Sequence, residues 1–301
     1  MRLRTWISRH QFASFVLVTY VFTWAVHGVL FLLDLPQSWT FSVLAGIGAY
    51  GPVVGAAVVV WASDGDLRAW VMQAFKWRVH PAWWAVALLL PALIIVAATG
   101  VFVLLGGELV VTGLETLVVY PFLLLYVLVI GGGQEELGWR GFAQPHLQGR
   151  YGAFVAAIVI GVVWATWHAP LFLLPGATQS GFDFSIYLGG ILAESVILAW
   201  VYNNTGGSVL LAGLFHAGNN VAMNWYPVNN VLFENGVRNE VVASQGQLAA
   251  LVALAVIVGL IVAVYGTRRL SHHEVPTVSP AQRGPRPNVA GSRSADEQLS
   301  D

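Results

Sequence analysis

Glu135, Glu136 and Arg140 stand within six residues of one another in Gln134-Glu135-Glu136-Leu137-Gly138-Trp139-Arg140, close behind the apolar run Tyr120 to Ile130. Two more polar exceptions interrupt apolar stretches further on: His168 closes Val159-Ile160-Gly161-Val162-Val163-Trp164-Ala165-Thr166-Trp167-His168, and His216 and Asn220 lie inside Leu210 to Val221. Ionisable groups at membrane depth are costly, rare and usually functional. Together the three clusters suggest one buried reactive centre assembled from three segments.

On a helix, Glu136 and Arg140 are four apart and pair along one face, whereas Glu135 is rotated from Glu136 by about 100°. One carboxylate is then neutralised structurally and the other stays available. A carboxylate held out of water is a better proton acceptor, the property a general base needs. The plain alternative is that all three charges snorkel at the cytoplasmic end of a helix, solvated and inert. A lone histidine such as His168 is more often hydrogen-bonded packing than a catalyst, and it is the company of the other clusters that gives it weight. His216 and Asn220, one turn apart, present an imidazole and an amide to the same oxygen, a pairing suited to an oxyanion. Carboxylate base, imidazole near the water, and imidazole with amide as donors make up an amide hydrolase. The set Glu135, His168 and His216 equally satisfies the ligand preferences of a divalent metal such as zinc, and spacing leaves that choice open. The His-Glu-x-x-His helix, the Gly-x-Ser-x-Gly elbow and the P-loop are all missing, so the commonest zinc, serine and nucleotide motifs do not apply. The chain has no cysteine, which excludes disulfides, thiolate catalysis and cysteine-held metals.

The elements that position these groups must be membrane helices. Of 301 residues, 57% are hydrophobic and 10% charged, with a mean hydropathy of +0.69, where a soluble domain carries roughly a quarter charged residues. An all-α, polytopic membrane protein is expected, with the lipid bilayer as its partner. A net charge of −1 without a basic stripe argues against nucleic-acid binding. Apolar runs long enough to span, about 20 residues, fall near 12–33, 41–62, 82–105, 115–134, 153–174, 184–202, 206–225 and 247–266. The first follows Arg2, Arg4 and Arg9 without a small-residue cleavage site, so it is expected to be a retained helix. With the N-terminus inside, thirteen of the fourteen basic residues lie on the cytoplasmic side and only Arg238 outside. Setting aside Arg140 and the three in the far tail leaves nine to one, which places both termini in the cytoplasm. Outside loops carry Asp34, Glu108, Glu115, Asp183, Glu234 and Glu240. No internal repeat or second folded domain is visible. Residues 1–269 are expected to form the membrane domain, and 270–301, rich in Ser, Pro, Arg and Gly, a disordered cytoplasmic tail.

In order and on successive apolar segments, Glu135-Glu136-x-x-x-Arg140, an aromatic three residues ahead of the one before His168, and His216-x-x-x-Asn220 resemble the three motifs of the CPBP family. That family contains type II CAAX prenyl endopeptidases and the bacteriocin-processing or self-immunity proteins called Abi. The resemblance covers about 115–225 and implies an intramembrane endopeptidase of about eight helices acting on a membrane-associated or lipidated peptide. It further implies that Glu135 activates water with help from His168, that His216 and Asn220 form the oxyanion site, and that Glu136 and Arg140 support the architecture. The metal stays open, since both metallo and metal-independent glutamate mechanisms are described for the family. The arginine-rich chain suggests a prokaryotic plasma membrane, where prenylated substrates are not the natural expectation.

Three features strain this picture. Trp164 stands where the family usually has Phe, and is expected to keep a packing role while reshaping the cavity. A straight span from 153 puts His168 about 22 Å along its helix, whereas Glu135 would sit at the cytoplasmic end of its own. Either the His168 span begins after an interfacial helix near 142–155, or Gly131-Gly132-Gly133 bends the chain so that a new helix carries Glu135 inward. The second is preferred, because irregular backbone at depth is tolerated where it lines a cavity. Glu194, a further intramembrane carboxylate, is assigned to packing ahead of catalysis. Two other functions compete with the hydrolase: a non-catalytic scaffold or immunity protein of the same fold, and a proton-coupled transporter using Glu135, Glu194 and the histidines, against which the missing inverted repeat counts.

Overall fold

The computed structural model describes residues 2–33, 38–175, 177–234 and 237–278. In chain order its helices are α1 (Arg2–Arg9), α2 (Gln11–Leu33), α3 (Trp39–Gly48), α4 (Gly51–Ala62), α5 (Leu67–Met72), α6 (Pro81–Leu104), α7 (Tyr120–Val129), α8 (Glu136–Gly138), α9 (Gln144–Tyr151), α10 (Ala153–Trp167), α11 (Phe184–Asn204), α12 (Val209–Ala222), α13 (Val228–Val231) and α14 (Glu240–Tyr265). The only sheet among the described residues is a two-stranded antiparallel pair, Phe233–Glu234 with Val237–Arg238. The chain is thus an all-α polytopic membrane protein. Among the described residues, six helical stretches are long and apolar enough to cross a bilayer: Gln11–Leu33, Thr40–Ala62, Pro81–Leu104, Leu114–Tyr151, Phe184–Asn204 and Glu240–Tyr265. The shorter α10 and α12 stand among them, both largely buried by their neighbours.

Hydrogen bonds between loops define the two ends of the bundle. At one, Lys76 donates to the Gly206 carbonyl, Arg4 pairs with Asp64, and the Ala153 amide donates to Arg268. At the other, Thr112 reaches Asn230, Trp225 reaches the Gly113 carbonyl, and the Asp183 amide donates to Gln247. Between them, α10 presents Ala153, Ala157 and Gly161 at four-residue intervals, and α11 lies against this face so closely that Ser195 Oγ donates to the Ala157 carbonyl at 2.7 Å. Small residues at such spacing let membrane helices approach and gain dispersion contacts, since burial from lipid supplies no hydrophobic drive.

The fourth apolar run does not stop at 134. Helical chain continues from Leu114 to Tyr151 with a break at the glycines: α7 ends at Val129, Gly132 takes φ +137°, and a new 3₁₀ turn starts at Gly133. Glu135 is therefore in the middle of the crossing and not at its end. After Tyr151 the chain reverses at Gly152, whose φ +83° and ψ 163° are open to glycine, and α10 climbs back. Glu135 lies seventeen residues before Gly152 and His168 sixteen after it, so the two legs of this hairpin bring them to a common depth.

Two further boundaries shift. The last span begins at Glu240, seven residues before the apolar run, because Asn239 accepts from the Val241 and Val242 amides and caps it. Beyond Arg268 the chain stays on the bundle through Val278: Leu270 is fully buried, Asn203 and Asn204 donate to the Arg269 and Leu270 carbonyls, and Gln148 donates to Pro276. Amides at the ends of α9 and α11 hold this strand of polar sequence, which composition alone marks as a tail. The rest of that tail, 279–301, lies outside the described residues.

Gly152→Ala is expected to destabilise the protein by about 1–3 kcal/mol, the usual cost of a side chain in this backbone region, because the new Cβ would also stand 3.2 Å from the Arg268 carbonyl oxygen. Thermal unfolding of the detergent-purified variant measures it.

Candidate active site

The glycine bend and the helix that follows it build the first wall of the site. Gln134 bridges the break, accepting from the Gly132 amide and donating to the Ile130 carbonyl. The helix then widens into a π-helical turn at Trp139–Ala143, a form that recurs at functional sites. On this segment Glu135 is 4% exposed, and Glu136 and Arg140 are fully buried. The snorkelling arrangement is thereby excluded.

Glu136 and Arg140 pair as their spacing predicts, with Nη1 3.2 Å from Oε2. They also reach beyond their own helix. Arg140 Nη2 donates to both the carbonyl and the hydroxyl of Ser195 on α11, at 3.0 and 2.9 Å, and His216 Nδ1 on α12 donates to Glu136 Oε1 at 3.0 Å. Further hydrogen bonds make a buried ion pair tolerable, and here those bonds tie three helices together.

Glu135 has different partners. The indole N–H groups of Trp139 and Trp164 both donate to its Oε2, at 3.2 and 2.9 Å, so Oε1 is the oxygen free of an indole donor. Trp164 is therefore more than packing. Its carbonyl accepts from His168 Nδ1 at 2.9 Å; since a carbonyl can only accept, Nδ1 carries the proton and Nε2 of the neutral ring holds the lone pair. Its ring meets His216 edge-on at 5.0 Å and lies 5.5 Å from the Arg140 guanidinium carbon. Sequence reasoning passed over the indole donors. The signal was present for Trp139, four residues after Glu135 on the same helix face.

On α12, Asn220 follows His216 by one turn and donates one amide hydrogen to the Gly131 carbonyl at 3.1 Å, leaving the second. Gly132 sits directly beneath both side chains. A Cβ there would fall 2.7 Å from Asn220 Nδ2 and 2.8 Å from His216 Nε2, so glycine serves the bend and keeps the space beside these donors clear. Gly132 is a second residue that the sequence signals only as part of a bend.

Glu135, His168, His216 and Asn220 all line one cavity of about 670 Å³. The expected catalytic four are thus brought together, and the two expected supports lie behind them. Glu194 also reaches the cavity wall, its Oε1 accepting from Asn219 Nδ2 at 3.2 Å. The metal reading fares differently. Among the described residues no three His, Asp or Glu side chains converge on a point able to hold an ion; His216 commits Nδ1 to Glu136 and Glu135 commits Oε2 to two indoles. The set Glu135, His168 and His216 is not assembled as ligands.

Arg140→Ala is expected to cost about 3–5 kcal/mol by leaving Glu136 as an uncompensated buried charge, and Ser195→Ala about 2 kcal/mol for the two hydrogen bonds its hydroxyl makes, one from Arg140 and one to the Ala157 carbonyl. Denaturant unfolding in detergent would rank them; equal, small effects would show that the ion pair does not organise the bundle.

Residues 117–222, which contain every one of these motif side chains, match the family model "Type II CAAX prenyl endopeptidase Rce1-like". A 98-residue stretch is 38% identical to a protein of Methanococcus maripaludis named CAAX prenyl protease 2, covering 31% of this chain and 36% of that relative. The chain thus aligns with little more than a third of the relative's length. Over residues 117–222 the chain is thus similar to the Rce1-like type II CAAX prenyl endopeptidases, the resemblance its three motifs carry.

Proposed function

We propose that the chain is an intramembrane endopeptidase in which Glu135 is the general base. The observation that carries this reading is the convergence of Glu135, His168, His216 and Asn220, from three separate segments, on one cavity. Glu135 Oε1 takes a proton from a water that His168 Nε2 helps to orient, and the hydroxide adds to the scissile carbonyl carbon. The free hydrogen of Asn220 Nδ2, and Nε2–H of His216 in its doubly protonated form, donate to the oxygen as it becomes negative. Collapse of the tetrahedral species breaks the C–N bond, and the proton held by Glu135 passes to the leaving amine. Acid and amine products balance the water consumed.

Two indoles on Oε2 hold the base in position, while the Glu136–Arg140 pair fixes His216 from behind. Apolar residues such as Ala49, Ile130, Ile191 and Leu254 form much of the remaining wall, a lining that suits a membrane-associated or lipidated peptide, the class to which the name of the archaeal relative also points. The protein would reside in a prokaryotic plasma membrane.

Cleavage of a quenched fluorescent peptide library by purified protein tests the assignment. Glu135→Gln is expected to lower kcat by roughly 10²–10⁴-fold, the range for a general base, and Asn220→Ala by about 10²–10³-fold, the range for one oxyanion donor. Both variants should unfold at the wild-type temperature, and a chelator should leave the wild type active. Full turnover by Glu135→Gln would refute the mechanism, and a folded protein that binds partners normally in both variants without cleaving would favour the scaffold.

Trp164→Phe removes one donor from the base while restoring the usual aromatic. A loss of roughly ten- to a hundredfold is expected, in line with a hydrogen bond to a charged group; an unchanged rate would return Trp164 to a packing role.

A further inference from the structure

The cavity reaches one end of the bundle, and the charges identify which. Its outer lining comes from the segment after α10 (Thr178, Gln179, Phe182) and from the segment between α12 and α14 (Asn224, Asn229, Arg238), which meet where Arg238 Nη2 donates to the Gly181 carbonyl. Arg4, Arg9, Arg68, Lys76, Arg78, Arg150, Arg268 and Arg269 all lie at the opposite end, with α1, the turn after α4, the Gly152 reversal and the exit of α14. Arg140, the one basic residue whose side is ambiguous in sequence, is wholly buried and carries no topological weight. Lysine and arginine are retained on the cytoplasmic side of a membrane, so the mouth faces away from the cytoplasm.

The mouth is built for a neutral chain. Asn224 and Asn229 each donate Nδ2 to a nearby backbone carbonyl at 2.8 Å, leaving their Oδ1 atoms to accept. Gln247 accepts from the Asp183 amide through Oε1 at 3.0 Å, leaving Nε2 to donate. Such mixed donors and acceptors match the alternating N–H and C=O of an extended peptide, and among the described residues Arg238 is the one basic side chain at the rim. Resting on the hydrolase reading, we propose that this site takes an uncharged, extended peptide segment presented on the extracytoplasmic face, and not the C-terminus of a cytosolic protein.

The absence of cysteine makes the test clean, since any introduced thiol is unique. Thr178→Cys and Asn229→Cys mark the mouth, and His273→Cys, exposed beyond α14, marks the opposite end. A membrane-impermeant maleimide should label the first two in spheroplasts and the third only in inverted vesicles; the reverse pattern overturns the proposal. The same peptide is then displayed on the outer or the inner side of a single-pass anchor, with Glu135→Gln as control. Only the outward reporter should be cut, and cutting should be lost in the control. Cleavage of the inward reporter alone would also overturn it. If neither is cut, the hydrolase reading fails, while the labelling still decides which face the mouth occupies.

Discussion

A carboxylate and a guanidinium, both with no exposed surface, face each other in the middle of an apolar bundle. Leaving either alone at that depth would be prohibitive, and neighbouring helices supply partners to both. Arg140 Nη2 reaches Ser195, and the other Glu136 oxygen holds His216. Each of these bonds ends on a different helix. Because an ion pair tolerates little displacement in low dielectric, it sets where α11 and α12 stand relative to the helix that carries Glu135. The carboxylate next door is then left without a cationic partner of its own, held only by two neutral indoles.

Trp164 distributes that order to the reacting groups. One side chain donates to Glu135, its backbone accepts from His168, and its ring packs on His216. Three segments that share no local sequence are therefore referenced to a single indole. The π-helical turn after Glu136 assists, because its extra residue shifts the helix phase at the point where Trp139 must turn toward Glu135 while Arg140 points toward α11.

The eight apolar runs, their order and the clusters within them were legible because each is a local property: run length, helical spacing, residue chemistry. The end of the fourth run was not. Gln134, Glu135, Glu136 and Arg140 lower the local hydropathy as a solvated loop would, yet each finds a partner inside the bundle, and composition cannot distinguish charges that meet water from charges that meet each other. The glycine bend was readable as a possibility because Gly131-Gly132-Gly133 breaks a helix; that Gly132 also makes room for His216 and Asn220 depends on α12, eighty residues on. The packing of 270–278 was hidden for the same reason. Nothing in Ser, His and Pro announces the three amides, Gln148, Asn203 and Asn204, that receive it.

The reversal at Gly152 makes the site a matter of counting. Its two legs, seventeen and sixteen residues long, act as paired rulers whose far ends hold the base and its imidazole. Removing one residue from either leg would move its end by about 1.5 Å and swing it by about 100°, turning a reactive side chain into lipid or into a neighbouring helix. Substitutions can be absorbed along these helices, but length cannot. Among proteins built this way, the spacing between the two motifs should be far less free to drift than the residues that fill it.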